Sequence, residues 1–298
     1  MGVTRTRRSF ASIALAGSLL VVSACQGASA PASGVASAPP SAAVSPGSPV
    51  IAASPVPQNA VELANVDVLR AQIKAYYGDP TGTGVVGADS SYARAASAVA
   101  AAGTRWLTEG WTGRAQSGMK AIVLDVDDTS LVTWNLVVAS NWDLVPATAA
   151  AYAVGERFPA VPGMAAMVNG AADAGYAFFI ITGRPPELEA ATLGNLTGSD
   201  SVGLNAGYPS PTTLANGEDG LFTRPAIGDY PPYLRIACAA ELSAGTACTT
   251  IEYKTATRAH IESLGYVIAA SFGDQQSDLT GGYAARTFKL PNPNYFLP

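Results

Sequence analysis

Apolar positions along the chain follow two different periods. Near the start of residues 59–298, Leu63, Val66, Leu69, Ile73 and the pair Tyr76-Tyr77 recur at helical spacing, and Gly78-Asp79-Pro80 ends the run. That spacing predicts a helix over 61–77. A second, Ala-rich helix is expected over about 90–108, with Tyr92, Val99, Trp106 and Leu107 as its larger apolar groups. The period then changes. Residues 121–124, 176–181 and 266–272 are continuous apolar runs of the kind found in strands buried on both faces, and 287–290 reads as a fourth strand. Segments 162–174, 185–196 and 251–264 read as helices, with a proline near the start of the first and glycines after two of the ends. Helices alternating with buried strands predict an α/β fold: a parallel sheet flanked by helices, preceded by two N-terminal helices. Two stretches, 130–161 and 198–250, fall outside the alternation and are expected to form a small cap or insertions.

Residues 1–58 show neither period. Arg5, Arg7 and Arg8 precede an apolar stretch from Ile13 to Val22, followed by Ser23-Ala24 and Cys25. Basic, apolar and small residues in that order read as an export signal over 1–24. The apolar stretch is shorter than the roughly 20 residues of a membrane span. The run Val22-Ser23-Ala24-Cys25 resembles a bacterial lipobox, which implies cleavage before Cys25, lipid on its sulfur, and anchoring at the outer face of the cell membrane. An ordinary cleaved signal with a chance cysteine is the alternative. Thr6-Arg7-Arg8-Ser9-Phe10 resembles a twin-arginine signal. Residues 25–58 are almost entirely Ala, Ser, Pro, Gly and Val, and cannot bury enough surface to offset ordering entropy. They are expected to be a disordered tether, with 59–298 as the folded domain.

Composition narrows the partners. Apolar residues make up 48% of the chain and charged residues 13%, so a sizeable core is available. The formal net charge is −5; loss of Arg5, Arg7 and Arg8 with a signal leaves 14 basic against 22 acidic residues, a net −8. That balance argues against a nucleic-acid partner, which needs a basic face. Small anionic substrates stay open, because a metal ion can supply local positive charge.

Three of the expected strands end in polar residues, and in an open parallel sheet ligands sit beyond the carboxyl ends of the strands. The first ends in Asp125-Val126-Asp127-Asp128-Thr129, placing two carboxylates two residues apart. The second ends in Thr182-Gly183-Arg184, a hydroxyl and backbone N–H groups at a helix start, which suits a phosphate. Lys254 stands near the start of the helix before the third strand. The third ends in Gly273-Asp274-Gln275-Gln276-Ser277-Asp278, adding two carboxylates. Such hard-oxygen donors fit Mg²⁺.

These four stretches resemble the signatures of the haloacid dehalogenase (HAD) superfamily, in order: Asp125-x-Asp127-x-Thr129, Thr182, Lys254 and Gly273-Asp274-x-x-x-Asp278. Within it the chain is similar to the subfamily IIIB acid phosphatases, which include plant vegetative-storage-type proteins. Ile181-Thr182-Gly183-Arg184-Pro185 and Arg286-Thr287-Phe288-Lys289-Leu290-Pro291-Asn292-Pro293 add to the likeness, which covers about residues 60–298. The resemblance implies a Rossmann-like sheet and a Mg²⁺-dependent phosphomonoesterase acting on small phosphate esters. It implies Asp125 as nucleophile and Asp127 as general acid and base. Mg²⁺ would be held by the Asp125 carboxylate, the Asp127 backbone carbonyl and Asp274. Asp278 would be either a ligand through water or an orienter of Lys254. Thr182 and Lys254 would hold the phosphoryl group.

Other residues leave alternatives open. Asp128 reads as structural, and His260, the single histidine, as a surface or half-buried helix residue. Arg184 either touches substrate or forms an ion pair of the scaffold. Trp134, Trp142, Tyr152 and Phe158 could stack on a substrate ring; a place in the core of a small cap is preferred. Cys238 and Cys248 could form a disulfide in an exported chain or stay free thiols, since their spacing fits no recognised metal motif. The competing functions are a non-catalytic surface lipoprotein and a phosphotransferase to an acceptor alcohol.

Overall fold

The computed structural model describes residues 63–111, 118–199 and 201–297. The expected signal, Cys25 and the tether lie outside these residues.

The N-terminal helices come first. Helix α1 (Val66–Tyr76) starts later than its apolar spacing predicts, because the Asn65 side chain accepts from the N–H groups of Asp67 and Val68 and caps it there. Leu63 lies before the cap, and Val66 and Leu69 stay exposed. Only the far end of the helix, Ile73 and Tyr76 with the cap residue Tyr77, packs on the core. Helix α2 (Ser91–Arg105) is capped by Ser90 and runs into a π-turn (Trp106–Gly110).

Strand β1 (Met119–Leu124) follows. The first insertion holds two short helices, α3 (Trp134–Ala139) and α4 (Pro146–Val154), before α5 (Met164–Asp173). Then come β2 (Ala177–Ile181), a 3₁₀ turn (Pro186–Leu188) and α6 (Glu189–Thr197). The second insertion contributes β3 (Leu221–Phe222), α7 (Pro232–Ala237) and α8 (Ala239–Ser243). The chain closes with α9 (Thr250–Ser263), β4 (Tyr266–Gly273), α10 (Gln276–Leu279) and β5 (Thr287–Lys289).

The strands form one five-stranded sheet in the order β3-β2-β1-β4-β5, parallel throughout. The continuous apolar runs divide residue by residue between two cores, because neighbouring side chains on a strand point to opposite faces. Ile122, Leu124, Phe178, Ile180 and Phe272 face α2 and α5, while Ala121, Val123, Phe179, Ile181 and Ile268 face the side carrying α7 and α9. A register irregularity between β1 and β4 at Ala121/Ile122 lies along the strand that leads to Asp125. Cys238 and Cys248 are buried and joined by a disulfide with Cα atoms 5.6 Å apart, closing the loop from α7 to the start of α9.

Candidate active site

The central strands deliver the acidic residues to one rim. Asp125 follows β1 directly and Asp274 follows β4, the neighbouring strand. Asp278 sits in α10, the short turn after β4, where its Oδ2 accepts from the Gln275 N–H at 2.8 Å. Asp125, Asp274 and Asp278 are all buried, and each offers a carboxylate oxygen within 4.8 Å of the others. Lys254 reaches in from the first turns of α9. Its ammonium donates to Asp125 Oδ1 at 2.7 Å and to Asp278 Oδ1.

These contacts assign the oxygens. Asp278 accepts from Lys254 through one oxygen and from a backbone N–H through the other, which orients the lysine and leaves a further lone pair on each oxygen. Asp274 Oδ2 accepts from Asn292 Nδ2 at 2.7 Å and Gln275 Nε2 at 2.6 Å, and its Oδ1 from the Thr129 hydroxyl at 3.2 Å. Asp125 keeps Oδ2 without a hydrogen bond among the described residues.

Electrostatics follow from burial and crowding. Burial pushes the Asp125 carboxyl well above the usual range; Lys254 opposes this, and Asp278, Asp274 and Asp127 add to it. Asp274 is raised as well, by burial and then by Asp278, against hydrogen bonds from Asn292 and Gln275. Burial disfavours the Lys254 ammonium, but Asp125 and Asp278 outweigh that and hold its pKa above normal. Three buried carboxylates share one ammonium, an imbalance that a divalent cation would correct. The all-oxygen donor set therefore fits a hard ion of the Mg²⁺ class.

Asp127 stands apart from this cluster. Arg184 forks onto it, Nη2 to Oδ1 at 2.6 Å and Nε to Oδ2 at 3.1 Å. Arg184 thus forms an ion pair, further fixed by Thr192 at 3.0 Å and by packing over the Phe158 ring, and it also lines the cavity where a substrate would meet it. Thr182 is buried. Its hydroxyl accepts from the Arg184 N–H at 3.2 Å, and the residues that face the cavity are Gly183 and Arg184. Asp128 is fully buried at φ +53°, bonded by the Thr133 backbone and hydroxyl, with burial raising its pKa to about 7. His260 is half-buried and stacks on Tyr233 with centroids 4.2 Å apart.

A cavity of about 680 Å³ opens onto Asp125, Asp127, Lys254, Asp274 and Asp278. Of the four aromatics of the first insertion, only Phe158 reaches it. Trp134 is buried, stacked on Tyr77 at 4.3 Å and bonded to Asp79, and Trp142 packs edge-on against Trp134. The cavity also contains residues without a sequence signal. Arg224 lines it and has no carboxylate partner among the described residues. Tyr295 and Leu297 arrive from the C-terminal segment, beside the Asn292 that bonds Asp274. Asn292 lies in a stretch already noted for its resemblance, but nothing local marks which oxygen it meets.

A parallel sheet with a buried carboxylate–lysine cluster at its C-terminal rim defines an α/β protein equipped to hold a cation beside an anionic ligand. The chain belongs to the HAD superfamily, subfamily IIIB (Acid phosphatase), whose family model matches residues 49–213 and 239–298. Curated relatives match locally. The stem 28 kDa glycoprotein of Glycine max is 51% identical over 49 residues, 16% of this chain and 19% of that protein. Vegetative storage protein 1 of Arabidopsis thaliana is 41% identical over 54 residues, 18% of this chain and 20% of that protein. These matches therefore span about a fifth of the relatives' length. Among solved structures, the class C acid phosphatase from Bacillus anthracis aligns with a TM-score of 0.46 at 17% identity, covering 67% of this chain and 79% of that one. The same enzyme with tungstate bound aligns with a TM-score of 0.47 at 15% identity, covering 76% and 86%.

Proposed function

We propose that this chain is a Mg²⁺-dependent phosphomonoesterase that works through a phosphorylated Asp125. The observation carrying this reading is the Lys254 ammonium bonded to Asp125 beside Asp274, with Asp125 Oδ2 left free at the floor of the cavity. A nucleophilic carboxylate needs one unencumbered oxygen and a fixed orientation, and Asp125 has both.

Asp125 and Asp274 would hold the metal. When bound, it would supply positive charge to the phosphate oxygens and offset carboxylate repulsion. Asp125 Oδ2 attacks phosphorus, a new O–P bond forms, and the ester O–P bond breaks. Asp127 gives the departing oxygen its proton. Water then attacks the phosphoryl-aspartate, Asp127 takes the water's proton, and the Asp125 carboxylate is released with inorganic phosphate. For this role the Asp127 carboxyl has to turn from the Arg184 fork into the cavity, and its 35% exposed side chain leaves room to do so. Lys254, held by Asp278, stabilises charge on the transferring group. The Thr182 hydroxyl accepts from the Arg184 N–H and keeps its own proton to donate to a phosphoryl oxygen; Arg224 adds positive charge at the cavity wall.

The test is hydrolysis of an aryl phosphate with Mg²⁺ across pH. Chelation should abolish turnover, and Asp125→Asn should lower kcat at least about a thousandfold, as expected for loss of a covalent nucleophile. Undiminished turnover in that variant would refute the mechanism. A storage role, which the relatives' names carry, has no observation of this chain in its favour.

We also infer export and a lipid anchor at Cys25. The buried disulfide fits an oxidising compartment, and the residues preceding Cys25 have the order of an export signal. Cys25→Ser should move the protein from the membrane fraction to the soluble fraction; equal partitioning of both forms would remove the anchor.

A further inference from the structure

The cavity is much larger than a phosphate group requires and lies within the usual range for sites that enclose whole small molecules. Its two ends differ in chemistry. The floor carries the carboxylates, Lys254 and Arg184. The wall beyond it, built by α3, α4, the turn after β2 and the C-terminal segment, presents Leu136, Leu144, Ala149, Ala150, Leu188 and Leu297. All six are aliphatic, and they come from separate elements to line one space with the acidic cluster. Two rings line the cavity, Phe158 and Tyr295, and the other aromatic groups of the first insertion are committed elsewhere. Trp134 and Trp142 pack against each other and on Tyr77, and the Phe158 face is covered by the Arg184 guanidinium. Arg184 is itself paired with Asp127, and Arg224 already donates to the Thr250 hydroxyl at 3.2 Å and to the Cys248 carbonyl, so both guanidinium groups at the wall are engaged.

We propose that the site selects phosphomonoesters of apolar, unbranched alcohols, the alkyl chain lying along the aliphatic wall while the phosphate reaches Asp125. This rests on the phosphatase reading above. Each methylene transferred from water is worth about a three- to fourfold gain in binding when fully buried. Primary alkyl phosphates share nearly one leaving-group reactivity, so a dependence on chain length reports the wall and not the chemistry.

The experiment measures kcat/KM with Mg²⁺ for ethyl, butyl, hexyl and octyl phosphate beside glycerol 3-phosphate, a hexose phosphate and a nucleoside 5′-monophosphate. Calorimetric binding of ethyl- and octylphosphonate gives a readout independent of turnover. The expected result is a rise in kcat/KM of at least about tenfold from ethyl to hexyl, carried mainly by KM, with tighter binding of the longer phosphonate. Two wall substitutions should flatten the series: Ala150→Asp, and Leu144→Asp at a position already 41% exposed and therefore tolerant of charge. A flat series, or a preference for the nucleotide or the polar esters, overturns the alkyl-chain proposal and leaves the phosphatase reading standing. No turnover of any ester overturns both.

Discussion

At the last position of β4, hydrogen is the largest side chain that fits. A Cβ on Gly273 would run into the Cβ and carboxyl of Asp278. Asp278 in turn holds Lys254 against Asp125, so the glycine sets the spacing of the whole cluster. Gly273→Ala should lower kcat at least about tenfold through displacement of Lys254, and cost about 1–3 kcal/mol of stability by overpacking. Paired kinetics and denaturant unfolding check this; normal kcat in a folded variant would mean that Asp278 does not position the lysine. At this scale the sequence was partly legible. Asp125 and Asp274 announce themselves because each follows an apolar run that must be a buried strand. The partners of Asp127 and Asp274 do not, because Arg184 and Asn292 meet them across 57 and 18 residues of chain, respectively.

Among the elements, α9 couples stability to the site. It starts with a capping box in which the Thr249 hydroxyl accepts from the Glu252 N–H at 3.2 Å and the Glu252 carboxylate accepts from the Thr249 N–H at 2.7 Å. Lys254 sits one turn later, so fraying of this end would loosen the ammonium. Thr249→Ala should destabilise the protein by about 1 kcal/mol and raise KM or lower kcat more than a comparable change at an exposed helix start. Thermal unfolding beside steady-state kinetics separates the two effects, and an unchanged Tm would show the cap to be silent. The strands β1, β2 and β4 could be read from the chain because burial on both faces forces apolar runs, whereas β5 alternates, with only Phe288 buried between Thr287 and Lys289. Strand β3 could not, since two residues, Leu221 and Phe222, carry no period. The helices of the insertions, α3, α4, α7 and α8, are too short for a helical period to stand out. Helix α1 shows the opposite failure: an apolar spacing extends past the residues that pack, and the Asn65 cap decides where the helix begins.

For the whole molecule, the second insertion is the segment that depends on covalent help. It carries little regular structure between α6 and α9, and the Cys238–Cys248 bridge closes a separation of 10 residues beside the core face that supports α9. A loop of that length corresponds to about 2–3 kcal/mol in the chain-entropy account. Reduction, or Cys238→Ser with Cys248→Ser, should lower the unfolding free energy by about that amount, and denaturant unfolding with and without reductant measures it. No loss on reduction would mean that packing alone holds the insertion. The architecture itself, a parallel sheet with helices on both sides, was foreseeable from the alternation of periods. The shape of the cavity was not, because it is made by pieces distant in sequence.

The segment after β5 ties distant parts of the chain together. Asn292 holds Asp274, Leu297 N–H donates to Gln275, and Asn294 donates to the Tyr77 hydroxyl at the end of α1. The entry and exit of the described chain are thus clasped beside the acidic cluster. Mechanical load arriving from the residues before α1 would be delivered through Tyr77 and Asn294 to the strap that steadies Asp274, so tension on that side of the molecule would be felt first at a ligand of the proposed metal.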